Sequence, residues 1–239
     1  MDGEFSSIET MRVRLGEVRE RIAVSARRSG RAGHEITLIA VSKTHPAEAL
    51  RRAIEAGACD LGENRVQEAE GKILEIGKEA VRWHLIGHLQ SNKARRAVQL
   101  FHLVHSLDSV ELALRLDRLC GEEGRAALDV MIQVDLGGEE TKTGIPESGL
   151  AELVEQVSAC EHLRLKGLMT IPPFFEDSER VRPYFSRLRE LRDQYRTAGA
   201  FGDDAGELSM GMSNDFEVAV EEGATMVRVG TAIFGERGK

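Results

Sequence analysis

From residue 36 onward the chain switches repeatedly between short runs of β-branched and aliphatic residues and longer stretches with helical spacing, and this alternation constrains the fold most. The runs that read as strands are Thr37 to Val41, Ala58 to Leu61, Arg82 to Ile86, Leu103 to His105, Asp129 to Val134, Leu165 to Leu168, Glu207 to Ser209 and Thr225 to Val229. Helical patterns cover Pro46 to Ala56, Arg65 to Ile76, Ser109 to Leu119, Pro146 to Ser158, Ser178 to Tyr195 and Ser213 to Glu222, several opening on a proline or a capping serine. Strict β–α alternation demands parallel strands joined by right-handed crossovers. Eight such strands fit a closed (β/α)8 TIM barrel, with an open doubly wound sheet as the alternative. An opening helix at about 5–30 carries one apolar stripe of Ile8, Met11, Leu15, Val18, Ile22 and Ala26. No linker composition interrupts residues 1–239, so the expectation is a single α/β domain.

Composition excludes several functions. With 32 Lys and Arg against 40 Asp and Glu, the net charge of -8 argues against nonspecific nucleic-acid binding. Arg27, Arg28 and Arg31 form the nearest basic cluster and read as a solvated helix face. Cys59, Cys120 and Cys160 fit neither a disulfide framework nor a metal site, which points to a reducing cytoplasm. The polar, acidic start is unlike a signal peptide, and no apolar run is long enough to span a bilayer.

In a barrel, functional groups gather just after the strands. Lys43 ends the run Thr37-Leu-Ile-Ala-Val-Ser-Lys43, where burial would favour a neutral, nucleophilic amine able to form a Schiff base. A lysine snorkelling to water is the plainer alternative. Ser209-Met-Gly-Met-Ser213 passes from the seventh strand into a helix that Ser213 is placed to cap, and Val229-Gly-Thr231 follows the eighth. These two loops make either a phosphate cradle or two tight turns. Alternation puts Met226, Arg228 and Gly230 on one face of the last strand and Val227 and Val229 on the other. If the valines face the helices, Arg228 points inward and needs a partner, either a pyridine nitrogen or a carboxylate such as Asp135. His84 is placed to contact a bound ring or a neighbouring strand's side chain; Glu63 and Asn64 are placed to line the mouth or to cap the following helix.

Taken together, these blocks resemble the pyridoxal phosphate homeostasis proteins, a family built on the alanine-racemase-like barrel. The matching segments are Ile39-Ala-Val-Ser-Lys-Thr44, Gly62-Glu-Asn64 with Val66-Gln-Glu68, and Trp83-His84 with Ile86-Gly87 and Leu89-Gln-Ser-Asn-Lys93. They continue through Gly167-Leu-Met-Thr-Ile-Pro-Pro173, Leu208-Ser-Met-Gly-Met-Ser213 and Met226 to Gly235. The resemblance implies a PLP fold type III barrel without the racemase's C-terminal β domain. It also implies pyridoxal 5′-phosphate held as a Schiff base on Lys43, with Arg228 facing the pyridine nitrogen. Ser213, Gly230 and Thr231 match phosphate-contacting segments, and Asn64, His84 and Met210 match positions around the ring. Two positions depart from the pattern. His45 stands where the family often has lysine, and Arg65 replaces the usual tyrosine after Gly-Glu-Asn, so no role of that tyrosine carries over.

The resemblance leaves a choice between carrier and catalyst. A carrier stores, buffers or delivers the cofactor to PLP-requiring apoenzymes; an amino-acid racemase needs bases on both faces of the substrate carbon. Lys43 supplies one base, and no second is evident, because the related enzymes are understood to borrow a tyrosine from their second domain. Tyr184 and Tyr195 fall on or beside an outer helix. The expectation is a monomeric carrier with no metal, membrane or nucleic-acid partner and no established catalytic residue. A sugar-phosphate enzyme with a Schiff-base lysine is a third reading on the same fold.

Overall fold

The computed structural model describes residues 7–138 and 143–235, so residues 5 and 6 of the expected opening helix lie outside it. Nine strands occur among the described residues: β1 (Thr37–Val41), β2 (Asp60–Glu63), β3 (Arg82–Leu85), β4 (Leu103–Leu107), β5 (Leu128–Asp135), β6 (Ile145–Pro146), β7 (Leu163–Met169), β8 (Glu207–Met212) and β9 (Met226–Val229). The helices are α1 (Ile8–Arg28), α2 (Ala47–Glu55), α3 (Val66–Ile76), α4 (Ala94–Leu100), α5 (Val110–Glu122), α6 (Leu150–Ser158), α7 (Arg182–Thr197), α8 (Phe216–Glu221) and α9 (Thr231–Phe234). The sheet runs β4-β3-β2-β1-β9-β8-β7-β5, and a further β4–β5 pairing closes it into a parallel barrel; β6 is a two-residue addition to β5. Closure rules out the doubly wound alternative.

Boundaries moved where polar residues proved to be strand interior. β4 continues through His105 and Ser106 to Leu107 because both polar side chains are buried and hydrogen-bonded. β8 runs past Gly211 to Met212, with an irregularity in its pairing to β9 between Ser209 and Met212. α7 begins at Arg182 rather than Ser178, since Ser178–Val181 forms a 3-10 turn capped by the Asp177 side chain. α6 likewise begins at Leu150, after β6 and the 3-10 turn Glu147–Gly149. The short helices α4 and α9 lack side-chain caps and were not apparent in the periodicity.

Two apolar layers hold the barrel. The larger fills the space between strands and helices, with Trp83, Phe101, Phe185 and Phe216 fully buried. α1 lays Met11, Leu15, Val18, Ile22 and Ala26 across this layer against α2, α8 and α9. Full burial of each larger aliphatic side chain contributes about 1.5–3 kcal/mol. The smaller layer, Ile39, Leu103, Met131, Met169 and Met226, plugs the barrel interior. Val227 and Val229 belong to the outer layer, so alternation does turn Arg228 inward. Gly167 permits β7 to approach β8: a Cβ there would lie 2.0 Å from the Glu207 carbonyl oxygen. No helix among the described residues is long and apolar enough to cross a membrane.

Candidate functional site

Lys43 lies two residues beyond β1, half-buried, on a turn rather than at the strand tip. Thr44, the next residue, has a φ of 69°, an unusual backbone conformation for a β-branched residue. A side-chain clamp holds it there. The Thr44 N–H donates to Glu68 Oε1, and Lys72 Nζ donates to that oxygen (2.6 Å), to Glu63 Oε1 (2.7 Å) and to the Ser42 carbonyl (2.9 Å). Ser42 Oγ also donates to Glu63 Oε1 (2.6 Å). Burial pushes the Glu63 carboxyl above its ordinary pKa despite Lys72. For Glu68, burial is outweighed by the hydrogen bonds from Lys72 and Thr44, which leave its carboxyl below the ordinary value. Glu63 therefore faces α3 rather than the mouth. Neither it nor Asn64 caps that helix, whose N-cap position is Arg65 without a side-chain bond.

A cavity of about 490 Å³ opens beyond the C-terminal ends of the strands. Lys43, Asn64, Ser213, Arg228, Gly230 and Thr231 all line it. His45 and Met212 line it as well, together with His88, Phe174 and Asn214, which were not singled out in the sequence. For His88, Phe174 and Asn214 the available signal was their place in loops after strands; His45 stacks on Phe234 at 4.7 Å between ring centroids. His88 Nδ1 lies 3.2 Å from Asp108 Oδ2, and burial raises the Asp108 carboxyl.

The two glycine-containing loops meet at this cavity. Ser213 Oγ accepts from the Gly230 N–H (3.3 Å), so it ties the loops together instead of capping α8. The N-cap position is Asp215, whose carboxylate accepts from the Met212 N–H (2.6 Å). Gly211, with φ 92°, allows α8 to sit close behind, because a Cβ would lie 2.9 Å from the Phe216 Cα. α9 starts at Thr231; the N–H groups of Ile233 and Phe234 donate to the Gly230 carbonyl, and those of Thr231 and Ala232 have no intrahelical acceptor. Hydroxyls and backbone N–H groups in this arrangement suit an anion such as a phosphate.

Arg228 forms part of the cavity floor at 3% exposure. Its Nη1 donates to Ser209 Oγ (2.6 Å) and its Nη2 to the Thr170 carbonyl (2.9 Å). Burial pulls the guanidinium down to about 10, which leaves it charged at neutral pH. Asp135 is not its partner: that carboxylate accepts from the N–H groups of Gly137 (3.0 Å) and Gly138 (3.1 Å). No carboxylate among the described residues lies within ion-pair distance of Arg228. Two expected ring neighbours do not line the cavity. His84 is fully buried between Asp60 and His105, and Met210 belongs to the outer apolar layer because it alternates with the inward Ser209.

Residues 13–238 match the family described as alanine racemase, N-terminal domain. Pyridoxal phosphate homeostasis proteins are similar over nearly the whole chain. The Aquifex aeolicus protein is 44% identical over 224 residues, covering 94% of this chain and 97% of that one. The Escherichia coli K12 protein is 43% identical over 226 residues, covering 93% and 95%. Among solved structures, PipY of Synechococcus elongatus PCC7942 with PLP bound superposes with a TM-score of 0.81 at 39% identity, covering 94% of this chain and 100% of that one. Alanine racemase from Clostridium difficile 630, at 16% identity and a TM-score of 0.74, shares the fold; the match covers 97% of this chain and 60% of the racemase.

Proposed function

The chain belongs to the pyridoxal phosphate homeostasis protein family, on the alanine racemase N-terminal barrel, and from that premise we propose that it holds pyridoxal 5′-phosphate at the barrel mouth to store, buffer or deliver it in the cytoplasm. The observation that carries this reading is the convergence of Lys43, Arg228 and the Ser213–Gly230 pair on one cavity. Its volume is in the range of small-ligand sites. A phosphate suits the Ser213, Gly230 and Thr231 corner, and Asn64 lines the same cavity. When bound, pyridoxal phosphate supplies an aldehyde that condenses with an amine to a Schiff base, and Lys43 is the amine in place. The Thr44 clamp fixes the backbone of the turn that carries Lys43. Arg228, charged and with Asp215 acting on it only from beyond ion-pair distance, would face the ring nitrogen and disfavour a proton there. That weakens the electron sink a catalyst needs.

The carrier reading also gains support from the tyrosines. Tyr184 and Tyr195 both lie on α7, outside the barrel, and Tyr184 stacks on Phe175 at 6.0 Å. One observation favours the racemase reading: His88, paired with Asp108, gives the cavity a titratable group besides Lys43. Incubating the loaded protein with single-enantiomer amino acids, and separately with a PLP-requiring apoenzyme, distinguishes the two. Transfer without the opposite enantiomer is expected; racemisation at enzyme-like turnover would overturn the carrier proposal. The site itself is tested by colour and by borohydride fixation. Wild type purified from cells should absorb visible light and yield a reduced adduct on Lys43, and Lys43→Ala should lose both. An undiminished adduct in Lys43→Ala would refute the assignment, and a colourless wild type that takes up no pyridoxal phosphate would refute the function. The proposal includes a monomeric state, which sedimentation measures directly.

A further inference from the structure

The polar contacts of Arg228 do not stop at Ser209. Ser209 Oγ is 2.9 Å from His105 Nδ1, His105 Nε2 is 2.9 Å from His84 Nδ1, and His84 Nε2 is 2.8 Å from Asp60 Oδ1. Ser209, His105 and His84 are fully buried. Asp60 lies at the other end of the barrel interior, 3.7 Å from the Nε of the half-exposed Arg82. Five side chains from β2, β3, β4, β8 and β9 thus form one unbroken chain through the barrel.

Its two ends dictate its direction. Arginine can only donate, so Ser209 Oγ accepts from Arg228, and its own proton is left for His105 Nδ1. At the far end the Asp60 carboxylate can only accept, so His84 carries its proton on Nε2. A neutral His84 then presents Nδ1 as an acceptor, which requires the proton of His105 on Nε2. That leaves His105 Nδ1 as the acceptor for Ser209. Both ends impose the same tautomers, and every member is satisfied. The opposite direction would set a bare ring nitrogen against the Asp60 carboxylate. The charged groups facing the two rings are Asp60, Arg82 and Arg228, and burial, the largest influence on each ring, favours its neutral form.

We propose that Ser209, His105, His84 and Asp60 are positioning residues for the cofactor: a one-directional donor chain, Arg228 to Ser209 to His105 to His84 to Asp60, that fixes the guanidinium beneath the ring. This rests on the reading of the cavity as a pyridoxal phosphate site. With Nη1 committed to Ser209 and Nη2 to the Thr170 carbonyl, the guanidinium plane is set and its remaining donors serve the cavity. Hydrogen bonds along such a chain polarise one another in a low-dielectric interior, so the distant carboxylate contributes to holding the cation. The interior spends part of its volume on this chain in place of further apolar packing, which makes it a device for orientation rather than for stability.

The chain can be tested without the cofactor. In the histidine-labelled apoprotein, nitrogen NMR should show His84 and His105 both neutral with the proton on Nε2. Asp60→Asn combined with Ser209→Ala removes the constraint at both ends, so mixed tautomers should appear at both rings. A purely packing role would leave them unchanged. Ser209→Ala, measured by fluorescence titration of pyridoxal phosphate, should weaken binding about tenfold through loss of a charged hydrogen bond, with the apoprotein still cooperatively folded. A proton on Nδ1 of either ring, or a charged ring, would overturn the direction of the chain. Affinity of Ser209→Ala within about twofold of wild type would overturn its role toward the cofactor. Failure of wild type itself to bind pyridoxal phosphate would overturn the cavity assignment and that role together, while the tautomers still decide the chain.

Discussion

Replacing Lys72 by methionine should be among the most destabilising single changes outside the apolar core, with a pH dependence that identifies the cause. Among the described residues Lys72 is the only cation bonded to Glu63, whose side chain has 0% exposure and whose Oε2 already has no hydrogen-bond partner there. Methionine keeps most of the volume but leaves Glu63 Oε1 with Ser42 alone. Breaking a buried pair from one side costs about 3–5 kcal/mol. For a chain of this length that lowers Tm by about 6–20 °C. The sign with pH follows from both carboxylates. Glu63 has a folded pKa above its ordinary value, so its contribution falls as pH rises through that window; without Lys72 the pKa rises further and the penalty at neutral pH grows. Glu68 has a depressed folded pKa, so its stabilisation is present above the ordinary carboxylate range, and the variant loses the Lys72 part of it there. The Glu68 loss is already complete at about pH 5.5, so it is the Glu63 effect that makes the deficit larger at about pH 8 than at about pH 5.5. Urea unfolding at the two pH values measures it. Adding Glu63→Gln, which keeps the acceptor and removes the charge, should recover most of the loss. A deficit below about 1 kcal/mol at about pH 8, or one equal at both pH values, would refute the reasoning.

Gly167→Ala should destabilise by about 3 kcal/mol or more, because the new Cβ meets the backbone of Glu207 rather than a side chain that can move; loss of less than about 1 kcal/mol in thermal unfolding would contradict the close β7–β8 approach. In the native protein a thiol reagent should modify the exposed Cys59 first. Cys120 and Cys160, whose thiols burial raises to about 11, should react only in denaturant, and labelling mapped by mass spectrometry checks the order.

Much of the architecture was legible in the chain. The bounds of β1 and the buried stripe of α1 emerge unchanged from periodicity, and the inward direction of Arg228 follows from two-residue alternation. Met210 obeys the same alternation relative to Ser209, so its outward direction was legible too, although the family motif pointed to the cavity. Lys43, Ser213 and Gly230 were visible as strand-end residues, and the parallel fold gathers such residues at one face.

Partnership was not legible. Glu63 and Lys72 are nine residues apart across a strand and a helix, a separation that no single-element period brings together. His84 finds Asp60 and His105 from 24 and 21 residues away, and His105 finds Ser209 from 104, only because strand register and barrel closure set those rings at one depth. Local chemistry settles which residues form strands and helices and which way a side chain leaves its strand, since those depend on neighbours in sequence. Which acceptor a buried donor meets depends on register, on the irregularity in β8 and on where the barrel closes, and those are properties of the assembled sheet. The lysine that marks the site could therefore be named from the chain, whereas the polarised line of side chains behind Arg228 exists only in the closed barrel.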